Sequence, residues 1–371
     1  MSEAETLGSD IVRIQREARF ADISIEAWGE RLTRLIEAQS EVLGDVQVHD
    51  LRQVGTAAGG SNGTLLFSTT YATAAGPVDR QMVLRFLPVK GLFHDYDVAV
   101  QFNLQKALHA AGLPVPAQIW LDEGGEYLVR PGYVMAMVAG EGPPMTWMTS
   151  GVIADASPAR RRQMTKSYVH SLAKIHAMDW KAAGLGWMER RAAGVRPIER
   201  ETNWYWDALI WSGSARHIEM LSPVKEWLIA NEPVGAKTVL CHGDANLGNY
   251  LFEDDAVSAV VDWEMSFLGA PECDLSFLLV GDAILQSDAP WPEGALTYDE
   301  MKAEYETASG HPLRDWDYYC LFTAYRIAII NVLAMNHFPP EVLAAFMPVL
   351  EKGPDLCLER ARALGVAIPA Q

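Results

Sequence analysis

Three polar side chains stand out for what they can do together. Asp244 and Asn249 lie in "CHGDANLGN", and Asp262 follows in "VVDWE". Apolar runs flank them, "KTVL" before, then "YLF" and "AVSAVV" between. Two carboxylates and an amide oxygen gathered in one place repel each other unless a cation sits among them. Hard oxygen donors suit Mg²⁺, which takes one or two carboxylates and completes its shell with phosphates and water. Phosphoryl transfer needs these same parts: an Asp to orient and deprotonate a hydroxyl, and an Asn and an Asp to hold metal on the phosphates.

The surrounding pattern predicts how these residues meet. "KTVL" reads as a short strand, "CHGDANLGN" as a loop and "YLF" as a second strand. "EDD" turns the chain and "AVSAVV" brings it back, so a hairpin delivers Asp262 to the end that carries Asn249. Upstream, residues 24–43 place Trp28, Leu32, Leu35 and Ile36 at helical spacing. "VQVHDLRQV", "GTLLFSTTYAT" and "RQMVLRFLP" are β-rich runs between Gly, Asn and Pro signals, which predicts an antiparallel meander. Residues 98–112 read as a helix ended by Gly112, with Pro114 and Pro116 beyond. "QIWLDEGGEYLV" and "GYVMAMV" give two more strands around a Gly-Gly turn.

After "AGEGPP" the periodicity turns helical. Residues 158–178 carry Met164, Tyr168, Leu172 and Ile175 on one face, and 203–230, 299–310, 314–336 and 340–364 also read as helices. The expected class is α+β: a helical segment at 1–45, a small β-rich lobe at 46–138 and a larger, mainly helical lobe at 139–371. Ligands commonly bind in a cleft between such lobes.

A lone Asp-x-x-x-x-Asn is an ordinary polar turn, but the combined string is more specific. His-x-Asp, Asn five residues after the Asp, and an Asp beyond a following hairpin form the catalytic-loop and metal-site pattern of kinases. "HGDANLGN" with "VVDWE" resembles the aminoglycoside phosphotransferase and choline kinase-like superfamily, whose fold resembles protein kinases. "DWEMSFLGAPECDLSFLL" is similar to the bacterial phosphotransferases related to the kinase-like domain of acyl-CoA dehydrogenase fusions. The similarity runs from about residue 50 to at least 336. The resemblance implies a protein kinase-like, two-lobed fold, with Asp244 as catalytic base and Asn249 and Asp262 as Mg²⁺ ligands. It also implies that His242 and Asp274 support the catalytic loop, and that Glu264 assists the metal or caps its turn. The related group carries Asp at the position of Ala270, where a local loop effect is expected.

By the same resemblance the β-rich lobe holds ATP. "GTAAGGSNGTLLF" places Gly60, Ser61 and Asn62 in a loop between strands, and backbone amides in such a loop can approach phosphates. Arg85, in "MVLRFLP", stands where kinases carry a phosphate-pairing Lys. Arg keeps the charge and grips phosphate with two N–H groups, but its reach differs. The Glu that normally orients this cation falls on Gln101, and Asp97, one turn earlier, is a candidate substitute. "YVMAMVAG" resembles the hinge, where the backbone between Ala136 and Val138 is expected to hydrogen-bond adenine. Met135 and Met137 read equally well as gap-filling residues.

Composition narrows the partners. The 371 residues carry 30 basic and 48 acidic side chains, a net charge of −18 that argues against nucleic-acid binding. Four scattered cysteines form no Cys-x-x-Cys pair, which suggests reduced thiols. The N-terminus shows no apolar signal core, and no run of about 18 apolar residues predicts a membrane span. A cytoplasmic monomer or homodimer, with no nucleic-acid or membrane partner, is therefore expected. His170 and His176, six apart on a helix, fall on different faces and do not make a zinc pair; His176 reads as a packed helix-end residue. Trp204, Tyr205, Trp206 and Trp211 read as core aromatics or as a wall of the acceptor pocket. Arg326, inside the apolar "LFTAYRIAIINVL", needs a carboxylate or a substrate anion as partner.

The leading function is an ATP- and Mg²⁺-dependent small-molecule kinase acting on a hydroxyl acceptor. Resemblance to the acyl-CoA dehydrogenase-associated group suggests a hydroxyacyl compound. The superfamily name and the acidic surface suggest an aminoglycoside instead. A catalytically idle pseudokinase, binding nucleotide or a partner, is the rival from another class.

Overall fold

The computed structural model describes residues 23–54, 63–88, 91–190, 193–337 and 340–368. Within them the chain forms two compact units. One runs to Asn103 and takes back Ala117–Met137; the other takes Leu104–Pro116 and continues from Val138.

The first unit opens with α1 (Ile25–Glu37), whose first turn is capped by the Ser24 hydroxyl accepting from the Ala27 N–H at 3.2 Å. Trp28, Leu32, Leu35 and Ile36 all turn inward, as their spacing predicts. They pack with Leu65, Phe67, Met82 and Leu84 from the sheet behind them. Strands β1 (Gly44–Val54), β2 (Gly63–Thr73) and β3 (Gly76–Phe86) form the expected antiparallel meander. Next come α2 (Val98–Ala110), β4 (Gln118–Asp122) and β5 (Gly132–Ala136). The five strands lie in the order β1-β2-β3-β5-β4, so the last strand inserts beside β3.

Two expectations are corrected here. "EYLV" is not a strand: β4 ends at Asp122, whose carboxylate accepts the N–H groups of Glu126, Tyr127 and Leu128 at 2.7–2.9 Å and curls the chain into a turn. Asp97 does not stand in for the missing Glu. It is exposed, and its Oδ1 accepts the N–H groups of Ala99 and Val100, so the carboxylate caps α2.

In the second unit a four-residue helix, α3 (Gly151–Ala154), precedes α4 (Pro158–Ala177). Gly213, in the left-handed region at φ 71°, divides the next helical stretch into α5 (Pro197–Ser212) and α6 (Ala215–Ala230). After three short strands, β6 (Val239–Cys241), β7 (Tyr250–Glu253) and β8 (Ala256–Val260), β9 (Phe267–Gly269) pairs back on β6. Helices α7 (Glu272–Leu285), α8 (Tyr298–Ser309), α9 (Trp316–His337), α10 (Pro340–Leu350) and α11 (Lys352–Ala363) complete the unit.

Helix α9 qualifies a further expectation, because Trp316–Asn336 is long and apolar enough to cross a membrane. However, 89% of its apolar window is buried within the protein. Its apolar character serves packing on several sides, as in a central helix.

Candidate active site

The start of the loop is placed by distant elements, and the Asp244 side chain by its near neighbours. β6 ends at Cys241, and the chain leaves it through three consecutive peptides that are all held. The carboxylate of Asp274, in the first turn of α7, accepts the His242 N–H at 2.7 Å and the Gly243 N–H at 2.8 Å. The Asp244 N–H donates to His242 Nδ1 at 3.2 Å. His242 Nε2 lies 2.9 Å from the Val261 carbonyl, which can only accept, so the ring carries its proton on Nε2 and accepts at Nδ1. His242 is fully buried; it positions Asp244 through the backbone. Gly243 has φ +85°, and a Cβ there would meet the Met265 carbonyl oxygen at 1.9 Å, so only glycine fits between His242 and Asp244.

The Asp244 carboxylate is oriented by two amides. Asn246 Nδ2 donates to one oxygen at 2.5 Å and Asn249 Nδ2 to the other at 2.9 Å. Asn249 Nδ2 also bonds the Asp244 carbonyl at 2.9 Å. Because that carbonyl only accepts, the Asn249 NH₂ must face it, and its Oδ1 is left for another partner. The β7–β8 hairpin turns on Asp254 and Asp255, both in the left-handed region at φ 47° and 65°. It returns Val261 to within hydrogen-bond range of Asn249, N–H to carbonyl at 2.9 Å. Asp262 follows in the left-handed region at φ 65°, a conformation that Asp tolerates better than most residues. Asp244, Asn249 and Asp262 are thus brought together, while Glu264 sits half-buried on the next 3₁₀ turn.

Burial pushes the Asp244 carboxyl above its ordinary pKa, and the Asp262 charge adds to that push. The amides of Asn246 and Asn249 pull the other way. Two neighbouring carboxylates with an amide oxygen beside them form a donor set that fits Mg²⁺.

Asp274 moves in the opposite direction. Burial acts to raise its pKa, but the hydrogen bond and charge of His176 and the Gly243 N–H outweigh it, and the pKa falls below the usual carboxylate value. His176 is the packed helix-end residue its position suggests, and what sequence reasoning missed is its partner. His176 is buried at the end of α4, with Nε2 3.0 Å from Asp274 Oδ2 and Nδ1 2.8 Å from the Tyr305 hydroxyl. A His in the last turn of an amphipathic helix was the available signal, but it did not reveal the partner. His176, Cys241 and Asp274 bring possible ligand atoms within 4.8 Å of one another. The Asp274 oxygens are already used by backbone N–H groups, so this cluster reads as hydrogen-bonded support for the loop.

Arg326 has the carboxylate its burial called for, Glu201, at 3.8 Å. Trp204 and Tyr205 are core residues, whereas Trp211 is half exposed.

In the first unit Arg85 on β3 is registered against Thr64 on β2 and Tyr133 on β5, which puts the three side chains on one face. Arg85 Nη1 donates to Thr64 Oγ1 at 3.0 Å, and the Tyr133 hydroxyl donates to the buried Gln101 Oε1 at 3.4 Å. The N–H groups of Ala136 and Met137 are taken by the carbonyls of Ala117 and Gln81. This narrows the expected hinge donors to Val138. Gly60, Ser61 and Asn62 lie outside the described residues.

The sequence profile of the phosphotransferase enzyme family matches residues 67–320, and the chain belongs to that family. Among curated proteins it is 28% identical over 266 residues to acyl-CoA dehydrogenase family member 10 of Mus musculus, covering 68% of this chain and 24% of that protein. It is 27% identical over 280 residues to acyl-CoA dehydrogenase family member 11 of Homo sapiens, covering 74% of this chain and 33% of that protein. The chain thus spans about a quarter to a third of the length of these relatives.

Among solved structures, a Ralstonia eutropha protein assigned to the aminoglycoside phosphotransferases superposes with a TM-score of 0.62 at 22% identity, covering 91% of this chain and 99% of the other. A thermostable mutant of aminoglycoside phosphotransferase APH(4)-Ia, solved as a ternary complex with AMP-PNP and hygromycin B, gives 0.53 at 15% identity, covering 89% and 97%. Plasmodium vivax ethanolamine kinase gives 0.55 at 10% identity, covering 84% and 83%. The fold is the kinase-like one, a five-stranded antiparallel sheet followed by a mainly helical region.

Proposed function

We propose that the chain is an ATP- and Mg²⁺-dependent phosphotransferase that phosphorylates a hydroxyl group of a small molecule. The observation that carries this is the Asp244 carboxylate, oriented by Asn246 and Asn249 and set beside Asp262. Asp244 orients the acceptor hydroxyl and takes its proton as the phosphoryl group moves. Asn249, through Oδ1, and Asp262 would hold Mg²⁺, which when bound neutralises charge on the phosphates. Arg85 grips phosphate oxygens from its strand, and the Val138 N–H meets the adenine edge. That APH(4)-Ia binds an ATP analogue supports nucleotide as donor.

The acceptor we favour is a hydroxyacyl compound, because the curated relatives are acyl-CoA dehydrogenase family members. An aminoglycoside is the second reading, supported by the net charge of −18, which suits a polycationic acceptor.

The test is calorimetric titration of ATP, with and without Mg²⁺, into wild type and Asp262→Asn, followed by ATP-consumption assays with hydroxyacyl compounds and aminoglycosides. Binding that needs Mg²⁺ and fails in the variant is expected, with turnover on the hydroxyacyl set. Metal-independent binding untouched by the substitution, with no turnover on either set, points instead to a nucleotide-binding pseudokinase.

A further inference from the structure

The peptide bond that leads into Asp244 is held at both of its polar atoms. Its N–H donates to His242 Nδ1, and its carbonyl, on Gly243, accepts from Arg326 Nη2 at 2.9 Å. Arg326 reaches this carbonyl from the middle of α9 and is fully buried. The same Nη2 lies 3.2 Å from the Tyr205 hydroxyl oxygen. The guanidinium sits over the rings of Phe267 at 4.7 Å and Tyr205 at 5.0 Å. Its Nε and Nη1 have no hydrogen-bond partner among the described residues, and Glu201 stays at 3.8 Å.

A buried guanidinium satisfied at one nitrogen is a poor choice for packing alone. A hydrophobic residue of similar volume commonly serves a core as well or better. What the charge does supply is a strong, directional bond to one carbonyl, next to the residue on which the chemistry turns. Gly243, without a Cβ and at positive φ, is the softest point of the loop, and rotation of its peptide swings Asp244.

We propose that Arg326 is a positioning residue for phosphoryl transfer: by holding the Gly243 carbonyl it locks the Gly243–Asp244 peptide and aims the Asp244 carboxylate. This rests on Asp244 being the base of the proposed reaction, and the experiment separates the two. In the full chain, Arg326→Met and Arg326→Gln are compared with wild type. The Gln side chain ends where Nε stands in Arg, two bonds short of Nη2, so it cannot make the bond. Thermal unfolding, hydrogen–deuterium exchange of the peptides covering 241–249, Mg·AMP-PNP binding and MgATP turnover are measured.

The expected variants fold, keep Mg·AMP-PNP affinity and the KM for ATP within about two-fold, and lose about 100-fold in kcat, the scale expected for a misaimed catalytic group. Exchange at 242–246 rises about ten-fold while α4 and α7 stay protected, as a local opening requires. Unchanged exchange at 242–246, or unchanged kcat in a wild type that turns over, overturns the role of Arg326. Exchange that rises throughout the unit with a fallen melting temperature, or failure of both variants to fold, overturns it too and marks a core residue. A wild type that neither binds Mg·AMP-PNP nor consumes ATP removes the kinase reading, and the proposal with it.

Discussion

The loop that carries Asp244 and the strand that carries Arg85 are held in different ways. Around Asp244, partners come from α4, α7 and α9: His176 and Asp274 on one side, Arg326 on another, and the Tyr168 hydroxyl donating to the Ala245 carbonyl at 2.6 Å. These are buried, directional bonds between elements far apart in sequence. Arg85, by contrast, takes its place from ladder register with Thr64 and Tyr133. A loop fixed by many buried bonds has one geometry and admits few substitutions. A side chain on a regular ladder keeps its position whatever its chemistry. This fits where the chain departs from the kinase pattern at Arg85, which lies on such a ladder, while the His242–Gly243–Asp244 string is intact.

The largest effect that sharpens this contrast is expected at Asp244. Asp244→Asn should lower acceptor-dependent ATP turnover about 10³-fold or more, since the proton acceptor is gone, while Mg·AMP-PNP affinity changes only a few-fold. Turnover surviving in this variant would break the comparison at its centre. Next in size is Asp274→Ala, which strands two buried N–H groups and His176. Urea denaturation should show a loss of about 3–5 kcal/mol. Arg85→Met, on a half-exposed strand position, should cost under about 1 kcal/mol in the same measurement.

Two carboxylates on α7 should give opposite pH slopes. Asp274 has a lowered pKa when folded, so its stabilisation is present above the ordinary carboxylate pKa and is lost as pH falls below it. Asp282 is buried among the Trp147 indole N–H, the Tyr298 hydroxyl and the Gln286 amide, and burial raises its pKa to about 6 against those donors. Its contribution is therefore full below about pH 4 and is lost as pH rises through about 6, a change of roughly 2–3 kcal/mol. Asp282→Asn should flatten the denaturation free energy between those values; an unchanged slope would remove this assignment. The smallest effect belongs to Gln101→Glu. A carboxylate near the Arg85 end of the sheet should lower the KM for ATP about two- to three-fold, and steady-state kinetics would read it.

Legibility followed the same division. The Asp244, Asn249 and Asp262 constellation was readable because it rests on short spacings and one hairpin, and the β7–β8 pairing delivers Asp262 beside Asn249 as those spacings require. Helices α1 and α4 were readable from their apolar faces. The turn after β4 was misread, because an apolar "EYLV" looks like strand until Asp122 is known to accept three of the following N–H groups. Asp97 was misassigned because helical spacing alone does not distinguish a residue inside a helix from one capping it. The partner of His176 was missed because a buried polar residue declares its role only through that partner.

Local chemistry alone determined the identity of the site residues and the division into a β-rich and a helical part. These follow from side-chain type and hydrophobic period, both of which act within a few residues. Tertiary structure alone decided the insertion of β5 between β3 and β4, and the joining of His176 to Asp274 and of Arg326 to the Gly243 carbonyl. Those last two contacts span 98 and 83 residues. Hydrogen bonds at such separations leave no period in the chain, because their geometry exists only once the helices have packed.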